Sequence, residues 1–189
     1  MAPLTVQSFN LRYHNPSDGE NAWPHRLDVV VAVLERADLV GVQEALPGML
    51  DDVDARVPAF ARIGVGRETD GGGEFSVIYY RRDRFELLDH GTFWLSETPE
   101  MPGSVGWDAA LPRICTWGRF RDRRTGAVFV HANTHFDHQG ETARRESARL
   151  LTIRLAEIAG EAPLLLTGDF NVTPETETYR ILAGTFRDA

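Results

Sequence analysis

The sequence has a single cysteine and no long apolar run. Cys115 has no second cysteine to pair with, which excludes an internal disulfide framework and is typical of a reducing compartment. No stretch approaches the roughly 18–20 apolar residues that span a bilayer, so we expect no membrane span. The first six residues lack the basic and apolar segments of a secretory signal. These features predict a cytoplasmic location.

An excess of positive charge is also missing. The net charge is −8, because 28 acidic side chains outnumber 20 basic ones. Nonspecific nucleic-acid binding draws on clustered basic residues, and the clusters here are confined to Arg81–Arg82, Arg119–Arg124 and Arg144–Arg149. The charge balance therefore argues against a long polyanion as the ligand. A chain of 189 residues is long enough for one domain with a sizeable core, and we expect a single domain over residues 1–189.

The first half of the chain alternates strand and helix patterns. Alternating apolar and polar residues predict a strand over Leu4–Phe9, and a short apolar run predicts another over Leu39–Gln43. Pro24 is placed to open a helix, and residues 46–57 have a second helical pattern. The alternation indicates an α/β protein.

Hairpin-like segments dominate the middle of the chain. Two strands are predicted at Phe75–Tyr80 and Phe85–Trp94, joined by a charged turn. Three prolines and two glycines indicate a long ordered loop over Ser96–Pro112, a kind of segment that is often functional. A hairpin is predicted from Cys115–Phe120 and Ala127–Asn133. The hairpins favour a mixed sheet over a purely parallel one.

The last third of the chain predicts two helices around one strand. Apolar spacing indicates a helix over Glu141–Ala159, followed by a buried strand over Pro163–Leu166. A short final helix is expected to start at Pro174, with Thr173 as its N-cap.

Polar residues stand where several of these strands end. They are Asn10, Glu44, His135, Asp169 and Asn171. Strand ends can bring distant residues to one rim of a sheet, and carboxylate and amide oxygens are hard ligands suited to Mg²⁺ or Mn²⁺. Each residue alone could simply terminate a strand or cap a turn, because Asn and Asp favour such positions. Five in this arrangement favour a functional site.

Five short motifs follow one another in order along the chain. They are Ser8–Arg12, Val42–Glu44, Gly73–Ser76, Asn133–His138 and Thr167–Asn171. Together they resemble the endonuclease/exonuclease/phosphatase superfamily, across nearly the whole chain. The resemblance implies a deoxyribonuclease-I-like fold, a four-layer α/β/β/α sandwich with two mixed, mainly antiparallel sheets. It also implies a metal-dependent hydrolase of phosphoester bonds that uses Mg²⁺ (or Mn²⁺).

The resemblance also implies roles for individual residues. Glu44 would ligate the metal, with Asn10 beside it. Asp169 would orient or deprotonate the attacking water, and Asn171 would hold the scissile phosphate. His135 would donate a hydrogen bond to a phosphate oxygen.

Glu74, Arg113 and the pair Asp137–His138 are further candidates. Glu74 matches the position whose carboxylate partners the histidine in the family, which would favour the charged form of His135. Arg113 either clamps a phosphate through its guanidinium fork or is a surface residue beside a hairpin. Asp137 and His138 either support the site from behind or take no part in it.

The chain departs from the family pattern at its C-terminal end. The resemblance implies a later Ser-Asp-His-type motif, which is absent here, and no histidine follows His138. We therefore expect the last strands of the fold to be missing and this chain to be far less active than an extended one.

The predicted substrate is a phosphorylated small molecule or a lipid headgroup, because the chain is acidic. A nuclease acting on DNA or RNA is one alternative. A degenerate module that binds a phosphorylated ligand without turnover is the other. The oligomeric state stays undetermined at this point.

Overall fold

The computed structural model describes residues 3–189 and shows two packed four-stranded sheets. The strands are β1 (Val6–Asn10), β2 (Leu39–Ala45), β3 (Phe60–Ile63), β4 (Phe75–Arg81), β5 (Phe85–Trp94), β6 (Ile114–Asp122), β7 (Val128–His135) and β8 (Leu164–Asp169). The α-helices are α1 (Trp23–Leu34), α2 (Pro47–Arg56), α3 (Glu141–Ala159) and α4 (Glu177–Ala183). A 3₁₀ segment at Pro16–Asn21 precedes α1.

Each sheet combines one parallel pair with two antiparallel pairs. The first sheet has the order β1-β2-β4-β3 and the second β5-β6-β7-β8. The parallel pairs are β1 with β2 and β7 with β8, so the carboxyl ends of the strands in each pair lie side by side. In register, Asn10 faces Gln43 and His135 faces Asp169. The predicted mixed, mainly antiparallel sheets are confirmed.

Three apolar layers hold the sandwich together. Buried side chains of α1 and α2 pack against the outer face of the first sheet, and those of α3 and α4 pack against the second. Between the sheets lies a smaller cluster that includes Leu39, Ile78, Phe85, Phe120 and Phe129. The order helix, sheet, sheet, helix confirms the predicted four layers. Within residues 3–189, no helix is long and apolar enough to cross a membrane.

The two strands predicted around the charged turn do not pair with each other. β4 belongs to the first sheet and β5 to the second, so residues 82–84 carry the chain across the sandwich. Arg84 anchors this crossing because its buried guanidinium lies 2.7 Å from a carboxylate oxygen of Asp38 and 3.0 Å from one of Asp122. A local pattern identified the strands but not their partners.

Two predictions about the last third of the chain were wrong. The strand at 163–166 was expected to be buried, but β8 is an edge strand and Leu164, Leu165 and Leu166 are half-buried. The final helix begins at Glu177 rather than Pro174, and its N-cap is Thr176, whose hydroxyl accepts from the Tyr179 N–H at 3.2 Å. The sequence patterns also missed β3 altogether.

Candidate active site

The two parallel strand pairs meet at one rim of the sandwich. Ser8 on β1 accepts a hydrogen bond from the Gly168 N–H on β8 (3.0 Å), and its hydroxyl lies 3.1 Å from the Gly168 carbonyl oxygen. This contact joins the edge strands of the two sheets directly. The polar residues at the ends of β1, β7 and β8 therefore lie at the same rim as Glu44, near the end of β2. All five strand-end residues predicted from the sequence come together here.

Asn10 links the two carboxylates of the rim. Its amide nitrogen donates to Glu44 Oε1 at 2.8 Å and to Asp169 Oδ2 at 3.0 Å. Its amide oxygen accepts from the Arg12 N–H at 2.8 Å, and the Tyr13 N–H donates to Glu44 Oε2 at 3.0 Å. Every polar atom of the Asn10 side chain is thus used to hold its neighbours. Asn10 thus orients the Glu44 carboxylate, and its place beside a cation stays a prediction.

Backbone strain accompanies these contacts. Glu44 has a φ of 60° at a register shift between Val42 and Ala45, and Asn171 has a φ of 50°. Asn tolerates this left-handed region, whereas Glu occupies it rarely. Strained non-glycine residues cluster at functional sites, where the surrounding structure holds them in place. The bulge turns Glu44 toward Asn10 at the end of β2.

Asp169, Asn171 and His135 form the other half of the rim. The Asn171 N–H donates to Asp169 Oδ1 at 3.1 Å, which closes a tight turn after β8. The Asn171 side-chain nitrogen donates to the Phe136 carbonyl at 3.0 Å and lies 3.1 Å from His135 Nε2. With both amide hydrogens directed this way, Nε2 is the acceptor and Nδ1 carries the imidazole proton.

Glu74 does not pair with His135 in the expected manner. The closest Glu74 oxygen is 3.9 Å from His135 Nδ1, too far for a hydrogen bond, and it accepts instead from Arg67 Nη1 at 2.8 Å. Burial, with the positive charge of Arg113, lowers the pKa of His135 to about 4, while burial raises the pKa of Glu74. The imidazole is therefore neutral near pH 7, opposite to the charged form expected from the sequence.

Arg113 lies inside the protein, so the alternative that it is a surface residue is wrong. Only 5 % of the side chain is exposed. Its Nε is 3.3 Å from a carboxylate oxygen of Asp137, itself 1 % exposed, and Nη2 is 3.0 Å from His138 Nδ1. Asp137 is held in turn by the backbone N–H groups of Gln139 and Gly140. Asp137 and His138 thus fix the Arg113 guanidinium from behind.

Arg67 is the site residue that sequence reasoning missed. It stands opposite Glu74 on a tight loop, where the Arg67 N–H donates to the Glu74 carbonyl at 3.1 Å. Gly71 and Gly73, with φ values of 80° and 75°, allow the turn between them. The glycine run before Glu74 was a signal for this turn, and the turn places the two residues face to face.

The donor set fits a hard divalent cation in the manner of Mg²⁺. Among residues 3–189 there is no group of three or more His, Cys, Asp or Glu side chains arranged to hold a metal. Mg²⁺ in proteins commonly takes only one or two carboxylates and completes its shell with water and substrate phosphate. Glu44 and Asp169 flank a single amide nitrogen and can supply those carboxylates.

A buried polar layer lies directly beneath the rim, between the sheets. Asn133 on β7 accepts from Gln43 Nε2 at 2.6 Å and from the Thr167 hydroxyl at 3.1 Å. Its amide nitrogen donates across to the carbonyls of Val42 (2.8 Å) and Val77 (2.9 Å) on the first sheet. The layer therefore ties the strand of Glu44 to the strands of His135 and Asp169.

Comparison with known proteins agrees with this architecture. A structure from Bacteroides vulgatus, described as an endonuclease/exonuclease/phosphatase, is 45% identical with a TM-score of 0.92, over 96% of this chain and 70% of that one. A mannosyl-6-phosphatase from Bacteroides thetaiotaomicron is 42% identical with a TM-score of 0.92, again over 96% and 70%.

A curated relative and the family match extend the comparison. Nocturnin of Drosophila melanogaster is 31% identical over 121 residues, 62% of this chain. The matched region is only 17% of that relative's length. Residues 8–189 match the model of a protein family described as "Endonuclease/Exonuclease/phosphatase family". The chain therefore belongs to the endonuclease/exonuclease/phosphatase family.

Proposed function

We propose that this chain carries a Mg²⁺-dependent phosphoesterase site that hydrolyses small phosphorylated molecules by in-line attack of water. The single observation that supports it is the convergence of Asn10, Glu44, His135, Asp169 and Asn171 from both sheets at one rim. Such a set combines carboxylates for a cation with donors for a phosphoryl group.

Each residue has a role that its contacts allow. Glu44 would hold the cation, with Asn10 beside it, and a bound Mg²⁺ would supply charge neutralisation at the phosphoryl oxygens. Asp169 would accept the proton of the attacking water as the new P–O bond forms and the ester P–O bond breaks. The departing alkoxide would take its proton from solvent. His135 would donate to a phosphoryl oxygen through Nδ1, while Asn171 orients the imidazole through Nε2.

The surroundings of the rim favour a small substrate over a nucleic acid. The two cationic side chains that follow β1 are already engaged: Arg12 pairs with Asp18 at 3.1 Å, and Arg26 donates to the carbonyls of Asn21 and Arg12. A continuous groove of free cations, which tracks a nucleic-acid backbone, is thus not formed by these residues. The likeness to a mannosyl-6-phosphatase adds support for a phosphorylated sugar.

We also propose a cytoplasmic location, and the support for it is the lone Cys115, which is buried as a free thiol.

Phosphate release tests the proposal directly. Mannose 6-phosphate, bis-p-nitrophenyl phosphate and a single-stranded oligonucleotide would be offered across a Mg²⁺ titration. We expect Mg²⁺-dependent release from a small ester, and a loss of about 10²–10⁴-fold in kcat for Asp169→Asn, the range for removal of a general base. Asp28→Asn, an exposed carboxylate away from the rim, is the matched control.

Two outcomes would overturn the proposal. One is the absence of turnover on every ester at any Mg²⁺ or Mn²⁺ concentration, which would favour the module that binds without turnover. The other is unchanged activity of Asp169→Asn. Turnover of the oligonucleotide alone would instead establish the nuclease alternative.

A further inference from the structure

The wall of the site behind His135 contains buried donors that nothing in the protein satisfies. Within the described part of the chain, no hydrogen-bond partner is found for Arg113 Nη1, Arg67 Nε or His135 Nδ1. All three atoms are buried, and Arg67 Nε lies 3.5 Å from a Glu68 carboxylate oxygen without forming a hydrogen bond to it. Buried polar groups are normally hydrogen-bonded, because an unmet donor is costly, and more so on a charged group. Such a cluster favours a bound ligand that supplies the missing acceptor.

These donors belong to one neighbourhood. Arg67 is joined to Glu74 at 2.8 Å, and the same Glu74 oxygen is 3.9 Å from His135 Nδ1. The positive charges of Arg113 and Arg67 both lower the pKa of His135, and Arg67 also lowers the pKa of Arg113. Arg67, Glu74 and His135 thus lie next to one another, and the charges of both guanidinium groups act on the imidazole.

The partners that Arg67 and Arg113 do have leave part of each guanidinium fork free. Arg113 uses Nε and Nη2 for Asp137 and His138, so Nη1 is the remaining corner. Arg67 uses Nη1 for Glu74. Arg113 Nη1 and Arg67 Nε therefore remain, one from each guanidinium, to donate to the oxygens of a phosphate.

The same side of the site is closed by packed loops. The Trp94 indole N–H donates to the Arg67 carbonyl at 2.7 Å, which fixes the loop that bears Arg67. Gly103, in the long loop at 96–112, lies so close to Thr69 that a Cβ on it would come within 2.9 Å of the Thr69 backbone nitrogen. Arg67 is 8 % exposed and Arg113 is 5 % exposed. A substituent leaving the phosphate in this direction would meet protein.

We propose that Arg113 and Arg67, with His135 Nδ1, form an anion-binding wall that recognises the terminal phosphoryl group of phosphomonoesters and disfavours phosphodiesters. The inference rests on the proposed function and narrows its substrate class. A phosphomonoester offers three non-bridging oxygens and up to two negative charges, so it can meet donors on several sides. A phosphodiester offers two such oxygens, and its second substituent needs an exit that this wall does not leave.

The kinetic test compares the two ester classes in one set of variants. Arg113→Gln keeps a polar side chain against Asp137 but removes the positive charge and the unpartnered Nη1. We expect its kcat/KM for mannose 6-phosphate to fall about 10- to 100-fold, the loss for hydrogen bonds to a charged group, while kcat/KM for bis-p-nitrophenyl phosphate falls far less. Arg113→Lys keeps the charge without the fork and should lose nearly as much on the monoester. Arg67→Gln should shift the same ratio.

Arg119→Gln is the matched control, because Arg119 lies on β6, six residues after Arg113, and donates to carbonyls at the end of α3. It should leave the monoester-to-diester ratio unchanged. An equal fall on both esters in Arg113→Gln would overturn the proposal, as would an unchanged ratio. Melting temperatures of all variants identify any that fail to fold, and Arg67→Gln then carries the comparison.

Binding of inorganic phosphate separates this inference from the proposed function. Calorimetry on the protein without added metal should detect phosphate binding that weakens about 10- to 100-fold in Arg113→Gln and not in Arg119→Gln. If no ester is turned over but this pattern holds, the anion-binding wall stands and the enzymatic proposal fails. If turnover is normal but phosphate binds both variants equally, the wall is wrong.

Discussion

The layer between the two sheets has two ends of opposite chemistry. Far from the site, Phe85, Phe120 and Phe129 meet with ring centroids 5.8–6.2 Å apart. Beneath the site, Asn133 and its partners fill the same layer with hydrogen bonds. Apolar packing is non-directional and tolerates small shifts, whereas each hydrogen bond prescribes a distance and an angle. We therefore expect the aromatic end to stabilise the sandwich and the polar end to set the geometry of the rim.

The largest expected effect on stability comes from the aromatic end. Phe120 is fully buried and contacts three other aromatic rings. Phe120→Ala should lower the free energy of unfolding by about 3–5 kcal/mol, the range for removing a buried Phe. Chemical denaturation measures this. At a temperature where the variant is folded, kcat should be close to that of the parent. A large loss of kcat in the folded variant would contradict the division between the two ends.

The polar end should respond in the reverse way. Asn133→Leu leaves Gln43, Thr167 and two backbone carbonyls without their partner, which we expect to cost about 1–3 kcal/mol in the free energy of unfolding. Since the strands of Glu44 and His135 would shift relative to each other, kcat should fall by about 10²-fold, the effect of a displacement near 1 Å. Steady-state kinetics and denaturation on the same sample give both values. A variant with unchanged kcat would show that the layer does not position the rim.

A single methyl group probes how tightly the sheets approach at the polar end. A Cβ on Gly41 would overlap the Thr167 hydroxyl and come within 2.5 Å of Asn133 Oδ1. Gly41→Ala should therefore destabilise by about 1–3 kcal/mol, the usual cost of overpacking. Gly48→Ala, where nothing lies within 4 Å of the new Cβ, is the control and should be near neutral. Equal effects of the two substitutions would argue against a close fit.

At neutral pH the smallest effect concerns His131, which is fully buried in the polar end and lies 2.9 Å from the Thr167 hydroxyl. Burial lowers the pKa of His131 to about 3. Between that value and an unfolded pKa of about 6.5, only the unfolded chain binds the proton. The free energy of unfolding should thus fall as pH drops below about 6.5, by up to about 1.4 kcal/mol per unit from this residue. His131→Gln should reduce that slope, with the exposed His90→Gln as control. An identical slope in both variants would contradict this account.

Local pattern predicted the elements better than their neighbours. The helix at Glu141–Ala159 was predicted with its observed bounds, because Ala148, Leu151 and Leu155 repeat at helical spacing and all three are buried. The assignment of β4 and β5 to different sheets could not be read in this way, since a charged turn looks the same whether it closes a hairpin or crosses a sandwich. β8 was misjudged because an apolar run does not reveal whether a strand has one neighbour or two.

The sequence by itself determined the family of the chain and the candidate site residues other than Arg67. Asn10, Glu44, His135, Asp169 and Asn171 stand at strand ends, and short-range order along the chain is enough to place them there. Only the tertiary structure decided how they are connected. It placed Asn10 between the carboxylates of Glu44 and Asp169. It also paired Glu74 with Arg67, and burial lowered the pKa of His135. The physical reason is that burial and long-range charge depend on which strands pack together, and no local spacing contains that information.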